Sequence, residues 1–155
     1  MSRGYLALVT GAGFLPMTIA VLAGNVLAGR LVGLVGLRRE VAGSALLVAV
    51  ALAGLLVVGP STAFATLAAP LVVLGFGLGA LVPAITNALL GSVEANRSGV
   101  AAGTLNTARQ TGSMIGVALF GALANGRVLP GLRISLVVSI ALALVTLALA
   151  VALPR

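Results

Sequence analysis

The amino-acid sequence predicts an all-α membrane protein with five transmembrane helices. Hydrophobic residues make up 61% of the 155 positions and charged residues only 7%, where a soluble domain carries roughly 25% charged residues. Mean hydropathy is +1.27. A chain this short has a high ratio of surface to volume, and its 9 basic and 2 acidic residues cannot clothe that surface in water. Long uncharged runs separated by turn-forming or arginine-bearing segments complete the pattern, so lipid is the expected solvent.

A span needs about 20 predominantly apolar residues to cross about 30 Å of hydrocarbon. The first such run extends from Tyr5 to Ala28. Arg3 precedes it in the manner of a signal peptide, but the run is too long for one and no small-residue cleavage site leads into a soluble domain. The second run, Val41 to Val58, follows a connection carrying Arg30, Arg38, Arg39 and Glu40. Gly59-Pro60-Ser61-Thr62 has turn chemistry and separates it from the third, Phe64 to Leu90. Glu94 and Arg97 mark the next connection, ahead of the fourth run, Val100 to Ala124. Asn125-Gly126 and Pro130-Gly131 then separate it from the fifth, Ile134 to Leu153. All connections are short, so successive helices are expected to run antiparallel.

Arginine bias in short loops predicts orientation. Arg30, Arg38, Arg39, Arg97 and Arg155 fall on one side, Arg3, Arg127 and Arg133 on the other. The first side is expected to be cytoplasmic, with Ser61 and Arg127 outside. Five spans then place the N-terminus outside, a natural arrangement for the later part of a longer chain.

The net charge of +7 comes from arginine alone, dispersed between apolar runs. A nucleic-acid binder would cluster the charge and interleave aromatics, which are 3% here, so no nucleic-acid partner is expected. The absence of His and Cys removes imidazole bases, thiolate nucleophiles and the common transition-metal ligands. No cofactor, metal site or enzyme activity is expected. The string ALVTGAGF at 7–14 looks like the opening of a dinucleotide-binding fold, but Pro16 occupies the third glycine position and no acid lies about 20 residues on, the first being Glu40. Gly75-Phe76-Gly77-Leu78-Gly79 is too apolar to cradle phosphate and no Lys follows it.

Glycines four apart on an apolar helix more simply admit a second helix at close range. Gly75 with Gly79, Gly112 with Gly116 and Gly24 with Ala28 are therefore expected at helix contacts, either as fixed packing or as faces that slide. Pro16 and Pro83 lie within apolar runs and are expected to bend their helices, each removing a backbone hydrogen bond.

The stretch AGRLVGLVGLRRE at 28–40 resembles the cytoplasmic loop repeated in both halves of major facilitator transporters, with Gly29, Leu31, Gly36, Arg38 and Arg39 fitting the pattern. Gly33 and Leu34 stand where that pattern prefers Asp and Arg. The segments GFGLGALVPAITNALLGSV and RSGVAAGTLNTARQTGSMIGVALFGAL look like the late helices of the fourteen-helix drug:proton antiporters, the run from Asn106 to Gly112 being the more specific signal. The resemblance covers about Gly11 to Leu153. It implies that the five spans form part of the C-terminal bundle of a major facilitator fold in the plasma membrane, with the C-terminus cytoplasmic. The implied partners are the N-terminal half, or a second copy of the chain, and an amphipathic small-molecule substrate. Glu40 and Glu94 both fall in predicted loops, so the proton-coupling acids are expected on that other half.

Arg109 carries the most information of any single residue. Counting back from Ala124 sets it about one turn, roughly 6 Å, inside the membrane. There it can snorkel to the interface, pair with Glu94 or helix-end carbonyls as part of a cytoplasmic gate, or meet an anionic group of a substrate. Asn106 and Gln110 share a helix face and can bond across helices or contribute to that gate, and Asn25 and Asn87 are expected to be buried polar groups. Two functions stay open: the C-terminal portion of a proton-coupled multidrug efflux carrier, or a small oligomerising membrane protein or accessory subunit of another transporter.

Overall fold

The computed structural model describes Gly11 and residues 13–57, 64–124 and 128–152. Among these residues there are no strands, and five long helices succeed one another: α1 (Leu15–Val35), α2 (Leu37–Leu56), α3 (Phe64–Gly91), α4 (Ser98–Ala124) and α5 (Val128–Ala152), with a short 3-10 turn, Ala95–Arg97, leading into α4. The protein is an all-α membrane protein. Four helical stretches are long and apolar enough to cross a bilayer, namely Leu15–Val35, Leu37–Leu56, Thr66–Gly91 and Pro130–Ala152. The fourth expected span, Val100 to Ala124, is helical but is not among them. Thr104, Asn106, Thr107, Arg109, Gln110, Thr111 and Ser113 dilute its first half.

The helices reach beyond the apolar runs because backbone hydrogen bonding does not stop where charge begins. The expected loop at 29–40 does not exist: α1 runs to Val35 and α2 starts at Leu37, with Gly36 alone between them. Gly36 adopts φ 82° and ψ 155°, a backbone region open essentially to glycine alone. Its N–H donates to Val32 O at 2.9 Å to close α1, and its carbonyl accepts from Glu40 N at 3.1 Å to open α2. Two prolines also differ from expectation. Pro16 lies in the first turn of α1, where a missing N–H costs nothing, and Pro130 is likewise in the first turn of α5 rather than in a turn before it. Pro70 and Pro83 do fall inside α3. The turns expected at 59–62 and at Asn125-Gly126 lie outside the described residues.

α3 is the centre of the bundle. It packs along α1 on one side and α2 on another, while α5 packs on a further face of α2. Joined by a single residue, α1 and α2 nevertheless touch each other little. Directions follow from which residues meet. Gly75 lies beside Met17 and Gly79 beside Val21, so α1 and α3 run the same way. Gly54 lies beside Pro70, Gly77 beside Val48, Val41 packs with Ala84 and Ala150, and Val48 with Ala143, so α2 opposes both α3 and α5. Successive helices thus alternate in direction.

Small residues make the α1–α3 seam. A β-carbon on Gly75 would come within 2.6 Å of Met17 O, one on Gly79 would strike the backbone of Val21, and one on Gly24 would strike Phe76 O. In lipid no hydrophobic force draws helices together, so such backbone proximity and its dispersion energy supply the attraction. Ala28, Ala80 and Ala84 are almost wholly buried along the same seam. Gly112 and Gly116 make no such contact among the described residues, where nothing lies within 4 Å of a β-carbon placed on either. α4 rests only lightly on α3 and α5, and most of its circumference is exposed.

Candidate functional site

Among the described residues, the polar contact between helices centres on Arg109. On α3, Pro83 offers no backbone N–H, so the carbonyl of Gly79 one turn earlier has no helical donor at that position. One turn further, the Thr86 hydroxyl folds back to donate to Val82 O at 2.8 Å. Arg109, on α4, completes the group: its Nη2 donates to Thr86 Oγ1 at 2.7 Å and to Val82 O at 3.1 Å. The threonine hydroxyl is therefore both acceptor and donor, and a guanidinium is tied to a helix carbonyl without a carboxylate.

This placement revises one expectation for Arg109, its pairing with Glu94. α4 starts at Ser98, eleven residues earlier, and the head of Arg109 turns sideways onto α3. It does not pair with Glu94. That residue is exposed just before the 3-10 turn, and its carbonyl accepts from Arg97 N at 2.8 Å. Asn106 and Gln110 are exposed on α4, and neither bonds to another helix among the described residues. Asn25 and Asn87 are exposed rather than buried. Arg109 aside, each of these side chains points to a surface that the described residues leave uncovered.

The residues of the expected arginine loop divide between two helices. Gly29, Arg30 and Leu31 belong to α1, and Arg38 and Arg39 to the first turn of α2. The alternating directions bring Arg30, Arg38, Arg39 and Arg97 to one end of the bundle, while Arg133 is near the other. Sequence reasoning missed Glu40. Assigned to a loop, it is instead in the first turn of α2, 4% exposed, and its Oε1 accepts from Ser44 Oγ at 3.0 Å while Oε2 is buried without a partner. The available signal was the spacing of Glu40 and Ser44, one helical turn apart on the face that also carries Val41, Ala45 and Val48.

Comparison with known proteins places the chain beside drug-resistance proteins. It is 31% identical over 121 residues, 78% of its length, to the multidrug resistance protein Stp of Mycobacterium tuberculosis, in both strain CDC 1551 and strain H37Rv. The chain resembles a multidrug resistance protein. It spans only 22% of the length of these relatives. No family model matches, and no solved structure matches.

Proposed function

We propose that this chain is the C-terminal portion of a multidrug efflux carrier of the major facilitator superfamily, in its fourteen-helix drug:proton antiporter branch. The observation that carries the reading is the 31% identity to Stp over 121 residues. The nearly bare surface of α4 supports it, because a helix with Asn106, Gln110 and Ser113 on its exposed side needs polar neighbours in a membrane. In this reading α4 faces the N-terminal half, and the substrate path runs between them near the midplane, as in carriers built from two related bundles. Arg109, held on α3 by Thr86, fixes the position of α4 at that boundary, and Asn106 and Gln110 are presented to the other half. The end bearing Arg30, Arg38, Arg39 and Arg97 faces the cytoplasm of a plasma-membrane protein, with the C-terminus on that side. Glu40 belongs to the first turn of α2 rather than to its middle, so the acids that carry the driving proton belong to the other half.

The test is reconstitution. The 155-residue chain in liposomes is expected to give no proton-gradient-dependent movement of a fluorescent cationic dye, and fusion to the N-terminal part of Stp is expected to restore some. Arg109→Ala should then reduce that activity more than Arg127→Ala. Dye efflux by the chain alone would instead indicate that a second copy supplies the missing bundle.

A further inference from the structure

α3 ends at Gly91 and α4 begins at Ser98, and the two helices touch lightly. Arg109 ties them together at Thr86 and Val82 O. Between that tie and the connection at 92–97 they stand apart, and the gap is a space of about 530 Å³ lined by Leu89, Val93, Arg97, Val100, Ala101 and Thr104. Four of these side chains are apolar. Of the other two, Thr104 already donates its hydroxyl hydrogen to Val100 O at 2.9 Å. The guanidinium of Arg97 is exposed and bonds to no other side chain among the described residues, so it is the donor that the lining leaves free. No carboxylate lines the space. Arg30, Arg38 and Arg39 belong to the same end of the bundle, where Glu94 is exposed and Glu40 is buried, so the field at this end is positive.

We propose that this space is a binding site for an amphipathic organic carboxylate, a compact apolar body bearing one carboxyl group. The body packs on Leu89, Val93, Val100 and Ala101, and the carboxylate accepts from both nitrogens of the Arg97 fork, a geometry that guanidinium and carboxylate share. The volume falls within the range of about 300–1,000 Å³ found for sites that hold drug-sized molecules. Both features are needed. An inorganic anion would meet only an exposed guanidinium, and such a pair is worth little in water. A neutral amide of the same shape keeps the apolar contacts but exchanges a charge-assisted hydrogen bond for one about half as strong, and an ammonium is repelled by Arg97. The inference concerns binding alone and is independent of transport.

Photo-crosslinking tests it on the purified 155-residue chain in phosphatidylcholine nanodiscs, with 4-benzoylbenzoate, its carboxamide and 4-benzoylbenzylamine as probes and peptide mass spectrometry as the readout. The carboxylate should label residues 89–104 at least about five-fold more than the carboxamide, the scale of one charge-assisted hydrogen bond partly shielded from water, and the amine should label them least. Arg97→Gln should bring the carboxylate down to the level of the carboxamide, while Arg97→Lys should keep part of the preference and Arg133→Gln, near the other end of the bundle, all of it. Ala101→Phe fills the space from α4 and should lower labelling by carboxylate and carboxamide alike, and Val93→Phe should do the same from the opposite wall. Equal labelling by carboxylate and carboxamide, a preference that survives Arg97→Gln, or label spread evenly over the apolar surface would overturn the proposal. So would loss of the carboxylate label when phosphatidylglycerol replaces phosphatidylcholine, because an anionic lipid would then be the occupant.

Discussion

Arg109 Nη2 stands 2.7 Å from Thr86 Oγ1, so a charged side chain on the least packed helix is anchored to the most packed one. The same nitrogen reaches Val82 O at 3.1 Å, and the hydroxyl of Thr86 donates to that carbonyl as well. Removing either member should loosen α4 without unfolding the rest. Thr86→Val is expected to lower stability in detergent by about 0.6 kcal/mol, the scale of polar contacts between membrane helices, and no more than about 1.7 kcal/mol. Arg109→Ala should have a similar effect, and the double variant should cost little more than either single change. A double-mutant cycle from unfolding monitored by circular dichroism would measure this, and full additivity would show that the two side chains do not act together.

The two glycine pairs should behave oppositely. Gly79→Leu drives a side chain into the backbone of Val21 and should destabilise the bundle by about 1–3 kcal/mol. Gly116→Leu meets open space and should leave unfolding of this chain nearly unchanged. Equal losses at the two positions, measured by thermal unfolding in one detergent, would place α4 against another helix.

Gly36 is a further test of backbone geometry. At φ 82° and ψ 155°, Gly36→Ala should cost about 1–3 kcal/mol. Gly33→Ala, in the interior of α1 and facing open space, should be neutral or stabilising by up to about 1 kcal/mol. Comparing the two melting temperatures separates the requirement for a positive φ from a general dislike of side chains near this turn.

Orientation is testable by labelling, since the natural sequence has no cysteine. In right-side-out cells, Arg97→Cys should be protected from a membrane-impermeant maleimide until the membrane is permeabilised, while Ser61→Cys, between α2 and α3, should react at once. The reverse pattern would invert the topology.

Much of the fold was legible in the sequence because membrane helices announce themselves by length and apolarity, as in Phe64–Gly91, where the apolar run and the helix nearly coincide. Charge misled at the Gly36 turn. Arg38, Arg39 and Glu40 read as a loop, yet a helix can carry charge in its first turn, and one glycine with positive φ suffices to reverse the chain. The tight seam at Gly75 and Gly79 and the open face at Gly112 and Gly116 have the same spacing, and only the position of neighbouring helices tells them apart. Thr86 as the partner of Arg109 was hidden for a related reason. The residues are 23 apart in sequence, and a hydroxyl that bonds its own helix gives no pattern from which a cross-helix contact can be read.

The sparse contact between α1 and α2 bears on how the bundle holds together. Helices joined by a short turn commonly pack as hairpins, but here α1 and α2 touch each other far less than each touches α3. Gly24 of α1 meets Phe76 and Ala80 of α3, and Val48 of α2 meets Gly77 of the same helix. Within this chain the association of α1 with α2 therefore runs through α3, the helix against which both of them pack.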